Sequence, residues 1–347
     1  MRFVHETRAQ RVRFGSGDAA AGVTAELDRL GSARPFVVGR ESLTRPLLGS
    51  HPGAVFHTDV AQHVPVALAR AARARAAEVG ADALVAVGGG SPIGLAKAVA
   101  LTARLPIVAV PTTYAGSEAT DVWGLTEDGV KRTGSDPVVL PVAVVYDAAL
   151  TTSLPVPLSV ASGLNAVAHV VDAQWGPRAD PINRLLGAEA LRTLRSGLSQ
   201  VVATPSGLPG RERCQYGCHL AGVAFASAGS GLHHTICHAL GGAFGLPHAE
   251  THAVVLPHVL ALNAPAAPEA AARLAAALDV DDAVAGLVAW YDDLDAPRAL
   301  RDLGLAEVDL PRAVDLILPR VPASNPRPVD AAALTGLLHD AWKGTLS

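Results

Sequence analysis

Cysteine, lysine and aromatic residues are scarce in this chain of 347 residues. Its three cysteines, Cys214, Cys218 and Cys237, form no Cys-x-x-Cys pair, which argues against a disulfide framework and against a zinc ribbon. Only 17% of the residues are charged and the formal net charge is -4, so the sequence lacks the basic character typical of a nucleic-acid binder. We therefore expect no nucleic-acid partner.

Long apolar runs are also missing. The N-terminal residues contain no run of the length that a signal peptide uses. Stretches such as 138–146 fall far short of the ~20 apolar residues of a membrane-spanning helix. We therefore expect a cytoplasmic protein without a membrane partner. Half of the residues are nevertheless hydrophobic, which gives a chain of this length a large core and excludes intrinsic disorder.

The first part of the sequence alternates short β-like runs with helical stretches rich in alanine and arginine. This alternation predicts βαβ units and a parallel sheet. The β-like runs fade after Asp147, residues 154–157 have the composition of a linker, and the remainder has a helical pattern. Predicted strands are 35–38, 54–57, 83–87, 106–110 and 142–146, with predicted helices at 64–79 and 92–104 among them. We expect an α/β domain over 1–153 and an all-α domain over 154–347.

A glycine-rich turn follows one of the predicted strands. Gly88, Gly89, Gly90 and Ser91 come after an apolar run, and Pro92 opens a predicted helix. Glycines let the backbone approach a phosphate closely, Ser91 can cap the helix, and a helix N-terminus attracts an anion. The spacing differs from Gly-x-Gly-x-x-Gly, and an ordinary turn between strand and helix is the alternative. We predict that this loop binds the pyrophosphate of a dinucleotide.

A second loop, rich in hydroxyl groups, follows the next predicted strand. It carries Thr112, Thr113, Tyr114 and Ser117. Open α/β sheets bind their ligands at the carboxyl ends of the strands. The loop therefore favours a ligand site together with the glycine loop, although its hydroxyls can also bond to their own backbone.

Histidines are concentrated in the second half of the chain, with eight of the 13 between residues 169 and 258. A lone histidine in an apolar helix is usually a core residue, but five within 20 residues of an acidic protein indicate a functional site. Those five are His233, His234, His238, His248 and His252. Three pairs have the i, i+4 spacing that places two side chains on one helix face, namely Asn165/His169, His234/His238 and His248/His252.

Imidazole rings can bind a divalent metal, donate protons or bind carboxylates. The segment His248–His252 resembles the zinc-protease motif only superficially, because its glutamate stands at the third position. A Gly-x-Ser-x-Gly turn, typical of serine hydrolases, is also missing from the sequence. These patterns leave metal binding and proton donation open.

Several segments together resemble the iron-containing (group III) alcohol dehydrogenase superfamily. They are GGGS at 88–91, PTT at 111–113, Asn165-x3-His169 and the histidine-rich stretch 231–248. Within the superfamily the sequence is most similar to the maleylacetate reductases, in PTTYAGSE (111–118), WGLTEDGVK (123–131), SGLNAVAH (162–169) and LPHAETHAVVLPH (246–258). The similarity runs from about Arg11 to Asn263, and more loosely beyond.

This resemblance implies a Rossmann-like N-terminal domain and a helical C-terminal domain, the dehydroquinate synthase-like fold. It further implies NADH or NADPH as cofactor, a small-molecule substrate and a homodimer. By the same resemblance Gly88, Gly89, Gly90 and Ser91 bind the pyrophosphate, and Thr112, Thr113 and Tyr114 lie along the nicotinamide half. The metal positions of the superfamily fall on Asn165, His169, His234 and His248, with His238 beside them.

The implied reaction is the transfer of a hydride to the C=C bond of maleylacetate, which gives 3-oxoadipate in the degradation of aromatic compounds. Hydride addition builds negative charge on the conjugated ketone oxygen, and imidazoles can stabilise that charge by hydrogen bonding and proton donation. The predicted catalytic residues are His234, His238 and His248, oriented by His169 and Asn165, together with Tyr114. The candidates for holding the substrate carboxylates are His252, Lys131 and Arg132.

One position departs from the superfamily pattern. Metal-dependent members have Asp where this sequence has Asn165, so a divalent ion would lose one charged ligand. We therefore predict catalysis without a metal, although His169, His234 and His248 could still bind one.

A second position concerns the choice of cofactor. Selective binding of NAD uses an acidic residue after the second strand to hold the ribose 2'-hydroxyl. Here Gly39 and Arg40 follow that strand, and Arg40 can pair with a 2'-phosphate. We expect NADPH to be accepted, alone or with NADH; a solvent-facing Arg40 is the alternative.

Three alternatives to this function remain at the level of the sequence. The first is a metal-dependent alcohol dehydrogenase that acts on a small polar alcohol or aldehyde. The second is a related reductase recruited to a biosynthetic pathway. The third is a non-catalytic relative that binds nucleotide, against which the crowded histidines argue.

Overall fold

The chain forms two compact units in the computed structural model, which describes residues 2–127 and 130–346. The N-terminal unit consists of Arg8–Leu154 and Ser206–Gln215. The C-terminal unit consists of the segment up to Thr7, Pro155–Pro205 and the chain from Tyr216 onward. The division between domains predicted after residue 153 stays a prediction.

A six-stranded parallel sheet forms the centre of the N-terminal unit, within the described residues, in the order β1-β8-β5-β4-β2-β3. Its strands are β1 (Arg11–Phe14), β2 (Pro35–Val38), β3 (Val55–His57), β4 (Ala83–Gly88), β5 (Ile107–Pro111) and β8 (Ala143–Tyr146). The predicted strands are confirmed to within a residue or two, because each is an apolar run bounded by turn residues.

Helices cover both faces of this sheet. The N-terminal unit contains α1 (Ala19–Leu30), α2 (Glu41–Leu48), α3 (Val66–Glu78) and α4 (Gly90–Ala103). Successive residues of β4 join different apolar clusters: Leu84 and Ala86 pack with α3 and α4, whereas Val85 and Val87 pack with α1 and α2. Since neighbouring side chains of a strand point to opposite faces, the sheet is doubly wound, and the predicted Rossmann-like architecture is confirmed.

Three local predictions need correction. The helix after the glycine turn begins at Gly90, with Gly89 at the N-cap, so Ser91 lies within its first turn and is not the cap. The supposed linker 154–157 is partly helical, because α5 begins at Val156, and Pro157 suits a first turn where no N–H donor is needed. The sequence patterns also missed an antiparallel hairpin of β6 (Val122–Glu127) and β7 (Val130–Ser135).

The C-terminal unit is helical, as predicted. Its helices are α5 (Val156–Trp175), α6 (Pro181–Ala203), the later part of α7 (Leu208–Ala228), α8 (Leu232–Phe244), α9 (His248–Asn263), α10 (Pro268–Leu278), α11 (Ala283–Leu294), α12 (Leu310–Ile317) and α13 (Ala331–Lys343). Helix α5 packs against α6 and α9. It is long and apolar enough to cross a membrane, but 83% of that apolar window is buried, as in the central helix of a soluble protein.

Candidate functional site

The glycine loop and the hydroxyl-rich loop lie side by side in the N-terminal unit. Gly88 at the end of β4 is paired with Pro111 at the end of β5, and the N–H of Thr112 donates to the carbonyl of Gly88 over 3.0 Å. A Cβ atom on Gly89 would lie 2.8 Å from the methyl group of Thr113. The two loops therefore meet at the carboxyl ends of adjacent parallel strands, where open α/β sheets bind ligands.

The residues of this edge fit a dinucleotide pyrophosphate. Gly88 has φ +139°, a conformation that favours glycine, and a Cβ on the exposed Gly90 would meet nothing within 4 Å. The N-terminus of α4 thus presents open backbone to an anion. Arg40 is exposed at the start of α2, directly after β2. The cofactor contacts of these residues, and of the half-buried Ser91 and Thr113, stay predictions.

Tyr114 is fully buried in the same unit. Its hydroxyl lies 3.3 Å from Thr151 Oγ1 and accepts a hydrogen bond from Arg211 Nη1 over 3.1 Å. Arg211 is itself fully buried and donates to the carbonyl of Leu154. Burial raises the pKa of Tyr114 to about 12. These contacts give Tyr114 a structural role, and its part in catalysis stays a prediction.

A buried lysine, which the motifs did not single out, holds the far end of the hydroxyl-rich loop. Lys97 on α4 donates from Nζ to the carbonyl oxygens of Ser117, Thr120 and Val122 over 2.6–2.9 Å. Burial lowers the pKa of Lys97 to about 7, while Glu118 and Asp121 act in the opposite direction. Lys97 therefore ties the helix of the glycine loop to the loop that follows β5.

The predicted histidines come together in the C-terminal unit. Helix α5 supplies Asn165 and His169, α8 supplies His234 and His238, and α9 supplies His248 and His252, so the three i, i+4 pairs are confirmed as helical. Ring centroids lie 4.9 Å apart for His169 and His234, 4.8 Å for His234 and His252, 4.4 Å for His248 and His252, and 6.4 Å for His238 and His248. We call His169, His233, His234, His238, His248 and His252 the histidine cluster.

An aspartate that sequence reasoning missed orients one of these rings. Asp172 on α5 is fully buried, and its Oδ2 lies 2.7 Å from Nδ1 of His234. The same oxygen accepts the backbone N–H groups of Gly231 and His234 at the N-terminus of α8, over 3.0 and 3.3 Å. Burial raises the pKa of Asp172, and these donors oppose that effect. The sequence did contain an indication that Asp172 belongs to the site, because Asp172 follows His169 by three residues and so shares its helix face.

A second polar pair lies deeper in the histidine cluster. His233 and His252 are fully buried, and His233 Nε2 is 3.0 Å from His252 Nδ1. Cys237 places its sulfur 3.6 Å from His233 Nε2. Burial, aided by neighbouring histidines, lowers the pKa of His233 to about 3 and that of His252 well below its usual range. Both rings are therefore neutral near pH 7.

Access differs among the histidines of the cluster. His169, His233, His234 and His252 are buried, whereas His238 and His248 are partly exposed. His238 and His248 are thus the residues of the cluster that are open in part to solvent.

The superfamily metal positions do not gather the ligand atoms that an ion would need. A metal site needs several ligand atoms close together. Among residues 2–127 and 130–346, three side chains of the types His, Cys, Asp and Glu bring their ligand atoms within 4.8 Å of one another, namely His233, Cys237 and His252. His169, His234 and His248 are not such a group, and Asn165 brings no negative charge. Catalysis without a metal stays a prediction.

The other substrate-binding candidates lie on the hairpin of the N-terminal unit. Lys131 is half-buried and Arg132 is exposed on β7. Two residues of the motif 123–131, Asp128 and Gly129, lie outside the described residues. Binding of substrate carboxylates by His252, Lys131 or Arg132 stays a prediction.

Comparison with known proteins assigns the chain to a family. Residues 9–148 match the family model "Iron-containing alcohol dehydrogenase", and residues 159–342 match "Fe-containing alcohol dehydrogenase family, C-terminal". The chain is 44% identical to a maleylacetate reductase from Pseudomonas knackmussii, over 99% of each protein.

Two solved structures extend this similarity. An iron-containing alcohol dehydrogenase from Corynebacterium glutamicum is 52% identical, with a TM-score of 0.96 over 99% of this chain and 97% of that one. A maleylacetate reductase from Agrobacterium tumefaciens is 39% identical, with a TM-score of 0.93 over 99% of each chain. The fold agrees with both comparisons, and the chain belongs to the iron-containing alcohol dehydrogenase family of oxidoreductases.

Proposed function

We propose that this chain is an NAD(P)H-dependent maleylacetate reductase, which converts maleylacetate to 3-oxoadipate. The observation that carries the proposal is the 44% identity to a maleylacetate reductase along the whole of both chains. The histidine cluster supports it, because it concentrates hydrogen-bond donors without gathering a set of metal ligands at the family positions. The region 1–153 is proposed to bind the cofactor, and 154–347 to carry the catalytic histidines.

When bound, the dihydronicotinamide supplies the hydride that adds to the C=C bond. The electrons of that bond move towards the conjugated ketone, so its oxygen becomes an enolate oxygen. His238 and His248 are partly exposed and are proposed to donate hydrogen bonds to this oxygen and to supply a proton to the product. His234 donates from Nδ1 to Asp172, which leaves Nε2 of the neutral ring as an acceptor, so His234 is proposed to orient the neighbouring donors of the cluster and not to contact the charge itself. His169 and Asn165 orient the cluster from α5.

We propose that this chemistry needs no metal, since Asn165 replaces the acidic ligand of metal-dependent members and the family positions do not gather their ligand atoms. Use of NADPH beside NADH is proposed from Arg40, which stands exposed after β2 with no acidic residue at the turn. A role in the degradation of aromatic compounds, a cytoplasmic location and a homodimeric state are proposed from the family resemblance.

The direct test is an assay of NADH and NADPH oxidation with freshly prepared maleylacetate, run beside simple aldehydes. Each reaction is repeated after chelation, and the metal content of the purified protein is measured. We expect rapid turnover of maleylacetate, slow turnover of aldehydes, and no loss of activity with chelator. Aldehyde reduction that exceeds maleylacetate reduction would refute the proposal.

A metal-dependent alcohol dehydrogenase is the second candidate, favoured by one observation. His169, His234 and His248 retain imidazoles at three of the four superfamily metal positions, and all three belong to the histidine cluster. This candidate would be supported if the purified protein contained stoichiometric metal, and if removal of the metal abolished turnover and its return restored it.

A further inference from the structure

The C-terminal unit buries two histidines whose ring nitrogens lie within hydrogen-bond distance of each other. His233 Nε2 and His252 Nδ1 are 3.0 Å apart, and both side chains are fully buried. We infer that His233 donates its Nε2–H to His252 Nδ1 and thereby holds His252 in the tautomer that carries its own hydrogen on Nε2. His233 is then a positioning residue that acts through His252, and this inference rests on the proposed function for its catalytic consequence.

The hydrogen-bonding capacity of an imidazole limits the arrangements of this pair. A neutral ring has one N–H donor and one acceptor nitrogen. The 3.0 Å separation of the two nitrogens holds one hydrogen, and each fully buried ring, with no hydrogen bond to a carboxylate among the described residues, carries its hydrogen on one nitrogen only. The nearby Cys237 thiol has its own acceptor in the carbonyl of Thr251 at 3.9 Å, so it does not need the nitrogen of His233. Two tautomer pairs therefore remain.

The opposite pair places a donor where nothing accepts it. There His252 donates from Nδ1, and His233 carries its hydrogen on Nδ1, an atom with no hydrogen-bond partner among the described residues. Its neighbours on α8, Leu232 and Ile236, belong to an apolar cluster. A buried N–H without an acceptor costs about 1–3 kcal/mol, and unpaired N–H groups are rarer in proteins than underused acceptors.

In the inferred pair, the N–H group that lacks an acceptor is on His252, which lies among the polar rings of the histidine cluster. His252 Nε2 also has no partner within the described part of the chain, but the ring of His252 lies against the rings of His234 and His248, at 4.8 and 4.4 Å. The Nε2–H is therefore on the ring that stands in the middle of the histidine cluster.

A metal ion between the same atoms is the main competing explanation. His233, Cys237 and His252 are a possible ligand group, but they are three, and they are buried. Structural zinc sites almost always have four ligands, and sites with three protein ligands keep an open position for water or substrate. An N···N separation of 3.0 Å is also an ordinary hydrogen-bond length. The hydrogen bond accounts for the geometry without an ion.

The tautomer matters because it decides the direction of a fixed dipole. With hydrogen on Nε2, His252 carries an N–H dipole on a ring that packs against the rings proposed to surround the substrate. The other tautomer would present a lone pair. N–H dipoles fixed before the reaction stabilise negative charge as it develops, so the inferred tautomer favours the enolate and the opposite one disfavours it.

The first measurement is the tautomer itself. The full-length protein is labelled with 15N-histidine, and long-range 1H–15N spectra report which ring nitrogen of each histidine carries hydrogen. Signals of His252 are assigned by their loss in His252→Gln. We expect Nε2 to be protonated and Nδ1 to be unprotonated in the ligand-free protein. A hydrogen on His252 Nδ1 would overturn the inference.

The second measurement is kinetic and uses matched variants. His233→Gln keeps an amide N–H donor of similar reach, whereas His233→Leu removes the donor. We expect His233→Leu to lower kcat about tenfold or more, with little change in the KM for NADH, and His233→Gln to restore most of it. His258→Gln, on the same helix as His252 but outside the cluster, is the control for loss of a buried histidine.

The outcomes separate the inference from the proposed function. Equal kcat values for His233→Leu and the unaltered protein overturn the inference, as does a stoichiometric metal that disappears in Cys237→Ser. If His233→Leu does not fold, the tautomer measured in the unaltered protein still decides. A protein with the expected tautomer that does not turn over maleylacetate contradicts the proposed function and removes the catalytic consequence of the tautomer.

Discussion

Replacement of Asp172 tests how the C-terminal unit positions His234. In Asp172→Ala, three N–H donors lose their acceptor: the backbone groups of Gly231 and His234, and Nδ1 of the His234 ring. Each buried unsatisfied donor costs about 1–3 kcal/mol. The lower end of that range, taken for three donors, predicts a loss of about 3 kcal/mol from a total stability of about 5–15 kcal/mol.

Asp172→Asn isolates the effect of the negative charge. The amide oxygen still accepts a hydrogen bond, but the bond to His234 is no longer assisted by charge, and such bonds are roughly twice as strong as neutral ones. We expect a loss of about 1–2 kcal/mol in the free energy of unfolding. Because the ring of His234 is less firmly held, kcat should fall about tenfold or more, by analogy with the about 10–100-fold losses seen when the carboxylate partner of a metal-bound histidine is removed. The KM for NADH should change little.

The assays are urea unfolding followed by circular dichroism and steady-state kinetics with maleylacetate. Asp180→Asn is a matched control in the same unit. Asp180 is buried, accepts the N–H groups of Ile182 and Asn183 at the N-terminus of α6, and pairs with His5 over 2.8 Å. It should lose stability without losing kcat. An Asp172→Asn protein with unchanged kcat, or an Asp172→Ala protein within about 0.5 kcal/mol of the original stability, would refute the reasoning.

Three further predictions concern other parts of the molecule. Tyr114→Phe removes the hydroxyl that binds Arg211 and Thr151. It should lower the free energy of unfolding, measured in urea, by about 1–2 kcal/mol. A hundredfold fall in kcat would instead support the catalytic role that the resemblance implied. Arg40→Ser should raise the KM for NADPH and leave that for NADH unchanged, and equal effects on both cofactors would contradict the proposed 2'-phosphate contact. Burial lowers the pKa of His258 from 6.5 to about 4, so the unfolded chain takes up a proton there that the folded protein excludes. Stability should therefore fall as the pH drops from 6.5 towards 4, and His258→Gln should flatten the slope by about 1.4 kcal/mol per pH unit, measured as unfolding free energy at several pH values; an unchanged slope would show that His258 is not the group responsible.

Much of the fold follows from patterns that act over short distances. The strand β4 and the turn at Gly88 could be predicted because an apolar run and a glycine turn are local features. The pair His248/His252 could be placed on one helix face for the same reason. The hairpin of β6 and β7 was missed because its strands mix apolar, polar and charged residues and lie outside the main sheet.

The contacts within the site depend on distances that the sequence does not record. Asp172 is 62 residues away from His234, and His233 is 19 residues away from His252. Helical periodicity can place Asp172 on the face of His169, but it cannot show that α8 begins where the carboxylate of Asp172 is available. The contact between Tyr114 and the buried Arg211 was out of reach for the same reason, because Arg211 comes from a distant part of the chain.

The apolar character of α5 has a consequence for how the protein is made and handled. Its covering partners, α6 and α9, are later in the sequence, and α9 is synthesised well after α5 has left the ribosome. Until then the 20 residues of α5, which are as hydrophobic as a membrane-spanning helix, are uncovered and can associate with other nascent chains. Recombinant production should accordingly give more inclusion bodies at fast expression rates, and refolding yield should fall as protein concentration rises.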